Sequence, residues 1–528
     1  MRPFAVTSRL DPFSVPTLAQ LFDHALERFG DRLAIVYEGR SWSYREMADK
    51  SERLAQALTR AGIGPGGRVA LMMSNRPEYL VADQAIIRCG GVKVPLNDML
   101  STAEIDFILQ DSGVTVAIAD RGLLPAALAS SATTLHTIIA VGLEGDRPAS
   151  TLDWDELLRL APDVSGSAAE APAPDDLGLI LYTGGTTGRP KGVMHTQRGL
   201  AMNLLSHVIE MGLADDDRIL LMSPLPHSAG FLAQAGLLRG ATIRLERRFD
   251  PDRALDLIGD GTVTFTFMVP TMIYRLLERT PGRDLRASAL RTILYGAAPI
   301  TLERLKQGLQ LLGPVFMQLY GQSEAPNFLT RLRREDHSPD PALAHRLTSC
   351  GQPVLMADVA VLDEDDEPLP AGQVGEIAAR SPYVMAGYHG MSDKTAETLR
   401  NGWLHTGDIG YIDADRYVYL LDRKNDVIIT GGMNVYSSEV EQFLQTCAGV
   451  TRVAVVGIPD PDWGEAVVAF VVATDDQGAQ FSADDLMDTC RSGLTAYKRP
   501  KSIQRVSTLP LTPYGKVDKK RLRIEFST

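Results

Sequence analysis

The chain has 528 residues, of which 45% are hydrophobic and 23% are charged, and its formal net charge is −13. This length exceeds one ordinary core and predicts two or more folding units, while the acidic balance argues against a broad surface for nucleic acid or anionic membranes. Four cysteines are scattered without metal-ligand spacing, a pattern typical of reduced thiols in a cytoplasmic protein.

The first part of the chain alternates helical and strand patterns. Prolines interrupt the N-terminus, which lacks the apolar core of a signal peptide, and no uncharged apolar run reaches the roughly 18 residues of a spanning helix. Residues 18–30, LAQLFDHALERFG, have helical spacing, and residues 68–74, RVALMMS, form an apolar run after a glycine turn. This alternation predicts an α/β fold.

Residues 182–193, YTGGTTGRPKGV, follow an apolar run of strand type and a linker-like stretch at 164–176. Free backbone amides, three hydroxyls and the Lys191 ammonium suit a phosphate. A Walker-type loop needs Ser or Thr after its lysine, but Gly192 follows Lys191, and Pro190 before it has no amide hydrogen. The segment therefore predicts an anion-binding loop of another class, with a plain glycine-rich turn as the alternative.

Two later segments, 292–299 (TILYGAAP) and 315–324 (VFMQLYGQSE), each predict a strand that ends in a glycine turn. Ligand-binding groups gather beyond the carboxyl ends of such strands. A bound nucleoside triphosphate needs Mg²⁺, which carboxylates and water hold, and Glu324 is the candidate ligand. Tyr320 offers a flat face to a base. An exposed turn carboxylate beside a core tyrosine is the alternative.

Residues 402–413, GWLHTGDIGYID, place Asp408 in a turn where its carboxylate can accept two hydrogen bonds from a vicinal diol. Arg423 is a fixed cation suited to phosphate or ribose oxygens. After Asn425 the pattern changes. Ser438 and Glu441 predict a capping box for a helix, two apolar strands follow at 452–458 and 466–473, and a second helix follows at 482–494. These elements predict a small C-terminal domain.

The last part of the chain is strongly basic. Ten cations lie between Arg491 and Arg523, against the single acid Asp518, which indicates an anionic ligand or else a solvated basic tail. Lys516 lies after the turn-forming residues Pro513 and Gly515, an exposed setting for a cation that must reach another domain.

These motifs, in this order, resemble those of the adenylate-forming superfamily, which includes acyl-CoA synthetases, luciferases and peptide-synthetase adenylation domains; the closest likeness is to AMP-forming acyl-CoA synthetases. The resemblance implies a large N-terminal α/β domain of several subdomains at 1–424 and a small mobile α+β domain at 425–528. It places the hinge at Asn425. The chain departs from the usual motifs at Gly184 (usually Ser), Ser323 (usually Thr) and Asn425 (usually Asp or Lys).

The resemblance also implies the site residues. The catalytic set is Lys516, Glu324 as the Mg²⁺ ligand, Thr183, and His227 at the carboxylate site without a proton-transfer role. ATP or AMP contacts are implied at Thr183, Gly184, Gly185, Thr186, Thr187, Gly188, Lys191, Gly296, Ala297, Ala298, Tyr320, Gly321, Gln322, Ser323, Asp408 and Arg423. Coenzyme A contacts are implied at Gly431, Gly432, Trp463, Tyr497, Arg499 and Lys501.

The predicted acyl pocket is small-walled and apolar, which favours a bulky hydrophobic acid; its residues are His227, Ala229, Gly230, Phe231, Gly296, Ala325 and Pro326. The predicted activity is ATP-dependent formation of an acyl-adenylate and then of a CoA thioester. Two alternatives stay open: a ligase that performs only the thioester step on an adenylate supplied by a partner, and a non-catalytic nucleotide-sensing module. A luciferase-like oxygenation, a carrier protein as acceptor and a homodimer also stay open; nucleic acid and stable membrane insertion are not expected.

Overall fold

A computed structural model describes residues 16–143, 148–160, 172–183, 190–283, 285, 288–338, 340–473, 482–512 and 517–526. These residues form two compact units. The first unit takes in residues up to 358 together with 380–404, and the second takes in 359–379 and the residues from 405 onward. The second unit thus includes residues before 425. The predicted hinge at Asn425 and the predicted domain boundary there concern a domain movement. Both stay predictions.

The helices have the following bounds: α1 Leu18–Phe29, α2 Tyr44–Arg60, α3 Pro77–Arg88, α4 Thr102–Ser112, α5 Leu124–Leu128, α6 Trp154–Leu160, α7 Gln197–Met211, α8 Gly230–Arg239, α9 Pro251–Gly259, α10 Pro270–Arg279, α11 Leu302–Leu312, α12 Ser392–Thr398, α13 Ser437–Gln445, α14 Ala483–Gly493 and α15 Lys519–Phe526. Short helical turns lie at Leu225–Ala229, Arg334–Asp336, Ala344–Thr348, Lys424–Asp426 and Ala496–Lys498. Capping boxes begin α1, α2 and α4, as the local sequence favours.

The strands have the following bounds: β1 Leu33–Tyr37, β2 Arg40–Ser43, β3 Arg68–Met72, β4 Val92–Leu96, β5 Val116–Asp120, β6 Thr137–Val141, β7 Leu152–Asp153, β8 Leu177–Thr183, β9 Lys191–Thr196, β10 Arg218–Leu221, β11 Thr242–Leu245, β12 Phe265–Met268, β13 Thr292–Tyr295, β14 Phe316–Gln322, β15 Ala325–Leu332, β16 Gln352–Pro353, β17 Asp358–Leu362, β18 Gly375–Arg380, β19 Gly387–Tyr388, β20 Leu399–Arg400, β21 Trp403–Ile412, β22 Val418–Arg423, β23 Ile428–Thr430, β24 Met433–Val435, β25 Val450–Asp460, β26 Gly464–Ala473 and β27 Ser502–Arg505. The expected mixture of alternating helices and strands is confirmed.

The first unit contains two large sheets. One has the strand order β16-β15-β14-β13-β12-β10-β11-β1-β2, and the other has β19-β9-β8-β4-β3-β5-β6-β7. The central strands of both run parallel. Both faces of β3 are buried, since Val69 and Leu71 join one apolar core while Ala70 and Met72 join another. Burial on both faces explains why RVALMMS reads as a continuous apolar run.

The second unit contains a sheet in which β24, β23, β26 and β25 follow one another and β27 lies beside β26. Helices α13 and α14 cover one face of this sheet, and Leu522 of α15 packs against the other. Residues from β17, β18, β21 and β22 form further sheet structure in this unit. The predicted C-terminal strands and helices are therefore present, with β25 and β26 longer than the apolar runs that predicted them.

The predicted capping box at Ser438 is wrong. Helix α13 begins at Ser437, and no side chain of the residue before it caps the helix. The carboxylate of Asp422 accepts the Ser437 hydroxyl at 2.7 Å and the backbone N–H groups of Ser437 and Ser438. Glu441 instead accepts the Val455 N–H at 2.8 Å and pairs with Lys519 at 2.8 Å. The capping group therefore comes from a residue outside the helix. The sequence around Ser438 does not indicate such a partner.

Arg523 of α15 ties the end of the chain to the turn that contains the predicted hinge. Its guanidinium lies 2.6 Å from the Asp426 carboxylate and donates to the Asn425 carbonyl at 3.4 Å. We expect Arg523→Ala to speed amide hydrogen exchange in residues 424–426 and 519–526 by roughly fivefold, since a partly buried ion pair contributes about 1 kcal/mol. Exchange read by peptide mass checks this.

The matched control for Arg523 is Arg521→Ala in the same helix. Arg521 pairs with Glu525 in an exposed setting, and such pairs contribute little to stability. Equal exchange rates in the two variants would contradict the role given to Arg523.

Candidate active site

The predicted strand ends of the first unit meet at one sheet edge. In the larger sheet the parallel strands β10, β13 and β14 end at Leu221, Tyr295 and Gln322. Residues 296–298 and 322–324 therefore share this edge, and the turn that contains His227 begins shortly after β10. In the other sheet β4 and β8 run parallel and end at Leu96 and Thr183. Carboxyl edges of this kind are where α/β sheets bind ligands.

Side-chain hydrogen bonds join the two sheets. The amide nitrogen of Asn97, directly after β4, lies 2.7 Å from His227 Nε2. His195 of β9 donates from Nε2 to the Ser323 carbonyl at 2.8 Å. Asn75, which follows β3, also donates to the Ser223 carbonyl beyond β10 at 2.9 Å, so the two carboxyl edges face one another, whereas His195 pairs with Leu179 away from the end of β8. Thr183, Lys191, His227, Gly296 and Glu324 lie at these edges. The motifs did not single out Asn97 or His195.

Glu324 accepts hydrogen bonds through both its side chain and its backbone carbonyl. The Tyr388 hydroxyl donates to Glu324 Oε1 at 2.6 Å, and the Glu324 carbonyl accepts the Met385 N–H at 2.8 Å. The Lys191 ammonium lies 4.9 Å from the centroid of the Tyr388 ring, a distance at which a cation is attracted to the ring face. Burial lowers the pKa of Lys191, and the Glu324 carboxylate acts in the opposite direction.

Two glycines of the predicted nucleotide site are required by backbone packing. A Cβ atom at Gly296 would lie 2.5 Å from the Leu319 carbonyl oxygen, and one at Gly321 would lie 2.8 Å from the Ala325 carbonyl oxygen. The motif glycines therefore allow neighbouring strands and turns to approach closely. Ala297 has a positive φ of 65°, so the turn after β13 passes through the left-handed region, and Ala297 and Ala298 are exposed.

The predicted acyl-pocket residues are mostly buried: Ala229, Gly230, Phe231, Gly296, Ala325 and Pro326, with His227 partly buried. The His207 ring, which the sequence did not single out, stacks near Phe231 and meets Phe328 edge-on at 4.9 Å. His207 Nδ1 donates to the Asn203 carbonyl at 2.7 Å, so Nε2 accepts from Asn327 at 2.9 Å. The apolar wall is thus backed by a hydrogen-bonded polar chain.

The buried histidines give the first unit an acid sensitivity. Burial lowers the pKa of His195, His207 and His337 to about 4 each, whereas an unfolded histidine titrates near pH 6.5. Below about pH 6.5 the unfolded chain therefore binds protons that the folded chain does not, and stability falls as the pH drops toward about 4. We expect each histidine to raise the unfolding equilibrium constant by up to about tenfold per pH unit in this window.

Urea unfolding at a series of pH values between about 7 and 4.5 checks this expectation. His195→Gln keeps a donor for the Ser323 carbonyl and should remove one of the three histidine contributions to the slope. Stability that stays level across this range would contradict it.

Two cavities of the first unit lie away from the predicted acyl pocket. Their volumes are about 120 and 130 Å³, and both are lined by Glu210, Arg331 and Arg333. Ion pairs join Arg331 to Glu210 and Arg291 to Asp217 there. Neither cavity includes a residue of the predicted acyl pocket.

In the second unit Asp408 and Arg423 face each other on the paired strands β21 and β22. Arg423 Nε lies 2.9 Å from the buried Asp408 carboxylate, and the same guanidinium donates to the Thr406 carbonyl at 3.3 Å. Two residues that were predicted separately as nucleotide contacts are thus direct neighbours. This pairing keeps the buried carboxylate compensated by a positive charge.

Two of the predicted coenzyme A residues, Gly431 and Lys501, contact Trp463 in the second unit. Gly431 and Gly432 have positive φ values of 57° and 76° in the turn between β23 and β24, and Gly431 N–H donates to the Trp463 carbonyl at 2.8 Å. The Lys501 ammonium lies 4.2 Å from the Trp463 ring. Arg499 donates to the Leu494 carbonyl at 2.8 Å. Trp463 is 47% exposed, which leaves an aromatic surface beside a cation.

Lys516 and the loop residues Gly184, Gly185, Thr186, Thr187 and Gly188 lie outside the described residues. Within the described ranges no group of three or more acidic, histidine or cysteine side chains could hold a metal ion. A single carboxylate at Glu324 nevertheless suits Mg²⁺, since this ion binds through one or two carboxylates and takes its other ligands from phosphates and water. Among the helices that the structure describes, none is long and apolar enough to span a bilayer.

Comparison with known proteins identifies related families and structures. The family model for the AMP-binding enzyme matches residues 22–389, and the model for the AMP-binding enzyme C-terminal domain matches residues 439–516. Feruloyl-CoA synthase of Amycolatopsis sp is 37% identical over 500 residues, covering 93% of this chain and 96% of that protein. Medium/long-chain-fatty-acid–CoA ligase FadD8 of Mycobacterium tuberculosis is 35% identical over 499 residues, covering 91% and 85%.

Among solved structures, the crystal structure of ATP-bound MatB from Rhodopseudomonas palustris superposes with a TM-score of 0.87 at 31% identity. The match covers 96% of this chain and 99% of that chain. This similarity extends over both the large and the small part of the molecule and confirms the predicted fold class.

Proposed function

Because this chain belongs to the AMP-binding enzyme family, we propose that it activates a hydrophobic carboxylic acid with ATP and Mg²⁺ and transfers the acyl group to coenzyme A. It is an AMP-forming acid–thiol ligase like its relatives. The observation that carries the proposal is the location of Thr183, Lys191, His227 and Glu324 at the facing carboxyl edges of two sheets. Reduced cysteines favour a cytoplasmic location.

In the first half-reaction a substrate carboxylate oxygen attacks the α-phosphorus of ATP, and pyrophosphate leaves. Lys191 and the amides and hydroxyls around Thr183 stabilise the charge on the phosphates, and Lys516 contacts the carboxylate and the α-phosphate. Glu324 would hold Mg²⁺, which neutralises phosphate charge when bound. Asp408 and Arg423 bind the ribose and phosphate oxygens, and Tyr320 lies against the base.

In the second half-reaction the thiol of coenzyme A attacks the acyl carbon of the adenylate, and AMP leaves. A rotation of the C-terminal domain about Asn425 exchanges Lys516 for the coenzyme A surface. The surface around Trp463 and Lys501 supports this role, because it offers an aromatic face for the pantetheine arm beside a cation for the phosphates. A carrier protein would not need the nucleotide-end cations.

The acid is aryl or fatty. The relatives include a feruloyl-CoA synthase and a medium/long-chain fatty acid ligase, and the predicted pocket is walled by Ala229, Phe231, Ala325 and neighbouring apolar residues. A substrate with a second carboxylate or an amine would need a partner of opposite charge in this wall. The predicted pocket residues supply none.

A panel of aryl, alicyclic and fatty acids, incubated with ATP, Mg²⁺ and coenzyme A, tests the proposal. Thioester mass reports the complete reaction, and exchange of labelled pyrophosphate into ATP reports the first half alone. We expect both with the same hydrophobic acids. Thioester formation from supplied acyl-adenylate without exchange would favour the thioester-only alternative. AMP release that does not depend on any acid would count against the proposed catalysis.

A further inference from the structure

Tyr388 lies in the proposed site without a role in the scheme above. It belongs to the short strand β19, which pairs with β9 so that Tyr388 is opposite Val193. Its N–H donates to the Thr395 hydroxyl at 2.9 Å, and only 5% of the residue is exposed. Val193 and Met385 pack beside it in a small apolar cluster. The ring is therefore fixed by backbone pairing and by packing before any ligand arrives.

This fixed ring touches both charged groups of the proposed phosphate and metal region. Its hydroxyl donates to Glu324 Oε1 at 2.6 Å, while its face receives the Lys191 ammonium at 4.9 Å from the centroid. Glu324 and Lys191 are far apart in sequence and have long, flexible side chains. Holding such side chains in one geometry otherwise costs rotamer entropy at the moment of binding.

We infer that Tyr388 is a positioning residue that holds the Glu324 carboxylate and the Lys191 ammonium in the arrangement needed for metal-bound ATP. This inference rests on the proposed function, because it takes Glu324 as the metal ligand and Lys191 as a phosphate contact. Among the described residues, the Tyr388 hydroxyl donates to Oε1, and we assign Oε2 to the cation. The ring face attracts the Lys191 ammonium, so this cation is held without an ion pair to the Glu324 carboxylate.

The alternative arrangement shows why the ring matters. Lys191 and Glu324 already interact electrostatically, and without the contacts to Tyr388 the two opposite charges would gain by pairing directly. A paired Glu324 would bind a cation less well, and a paired Lys191 would bind a phosphate less well. By this inference, the contacts of the ring with each group favour the unpaired arrangement.

Two substitutions separate the hydroxyl from the ring. Tyr388→Phe removes the hydrogen bond to Glu324 and keeps the ring face for Lys191, whereas Tyr388→Leu removes both. Tyr44→Phe is the control. The Tyr44 hydroxyl is also buried and donates to the Ala241 carbonyl at 2.7 Å, but Tyr44 is not one of the proposed site residues.

Mn²⁺ serves as the probe for the metal, since the free ion gives an electron paramagnetic resonance signal that disappears on binding. With ATP present, we expect Tyr388→Phe to bind Mn²⁺ about tenfold more weakly than the unchanged protein, a usual loss for an outer-shell partner. The Mg²⁺ concentration for half-maximal pyrophosphate exchange should rise by a similar factor. Tyr388→Leu should also raise the KM for ATP about threefold or more through loss of the cation–π contact.

Thioester formation from supplied acyl-adenylate should stay within about twofold in Tyr388→Phe, since that step does not use the metal-bound triphosphate. Unchanged Mn²⁺ binding in Tyr388→Phe, or an equal loss in Tyr44→Phe, would overturn the inference while leaving the proposed function intact. Absence of pyrophosphate exchange with every acid in the unchanged protein would instead refute the proposed function.

Discussion

Replacing Lys516 with alanine should lower the rate of acyl-adenylate formation by at least about 100-fold, the usual loss when one charge-stabilising donor is removed from a transition state. The carboxylate and the α-phosphate are both anionic, and a cation between them offsets the repulsion that opposes their reaction. Thioester formation from supplied acyl-adenylate should change by less than about threefold, because the proposed domain rotation removes Lys516 before that step. Pyrophosphate exchange and thioester mass measure the two rates separately.

Lys520→Ala is the control for Lys516→Ala. Lys520 is exposed on α15 and belongs to the same basic segment, so it tests whether general positive charge suffices. We expect both half-reactions to stay close to those of the unchanged protein. Equal loss of both half-reactions in Lys516→Ala would refute the proposed division of labour.

Glu324→Gln should also lower acyl-adenylate formation by about 100-fold. Glutamine has the shape of glutamate, and its Oε1 can still accept the Tyr388 hydroxyl, so the hydrogen bond at this site survives. What disappears is the negative charge that would hold Mg²⁺ against the phosphates. The rate of pyrophosphate exchange as a function of Mg²⁺ concentration measures the effect, and raising Mg²⁺ should restore part of the rate.

The control for Glu324→Gln is Glu303→Gln, which removes an exposed acid from the first turn of α11. It should leave the Mg²⁺ dependence unchanged. A Glu324→Gln protein whose exchange rate matches the unchanged protein at every Mg²⁺ concentration would exclude Glu324 as the metal ligand.

The strands that frame the site could be predicted from the sequence, because each is a continuous apolar run that ends at glycine: β8, β13 and β14 are the examples. Their shared edge follows from parallel pairing. The contacts that fix the side chains could not be predicted. Tyr388 lies 64 residues from Glu324, and Asn97 lies 130 residues from His227. Such pairs depend on how two sheets and a late strand come together.

The failed capping box has a related cause. Ser438 and Glu441 have the right spacing, and local propensity alone would favour that start. Asp422 reaches the helix start from 15 residues before Ser437 and satisfies the N–H groups first, while Glu441 is drawn to Lys519. Contacts with residues outside the helix therefore replace the predicted capping box. The paired positions of Asp408 and Arg423 similarly follow from the β21–β22 register.

Trp463 offers an intrinsic fluorescence signal from its own surface. The chain has four tryptophans, and Trp463 is the one whose position falls in the second unit. Its indole is half-exposed and lies under the Lys501 ammonium, so its fluorescence depends on what displaces that cation or covers that ring. A protein in which Trp42, Trp154 and Trp403 are phenylalanine would emit from this position alone. Binding of coenzyme A at this proposed surface could then be timed in a stopped-flow instrument without attaching a dye.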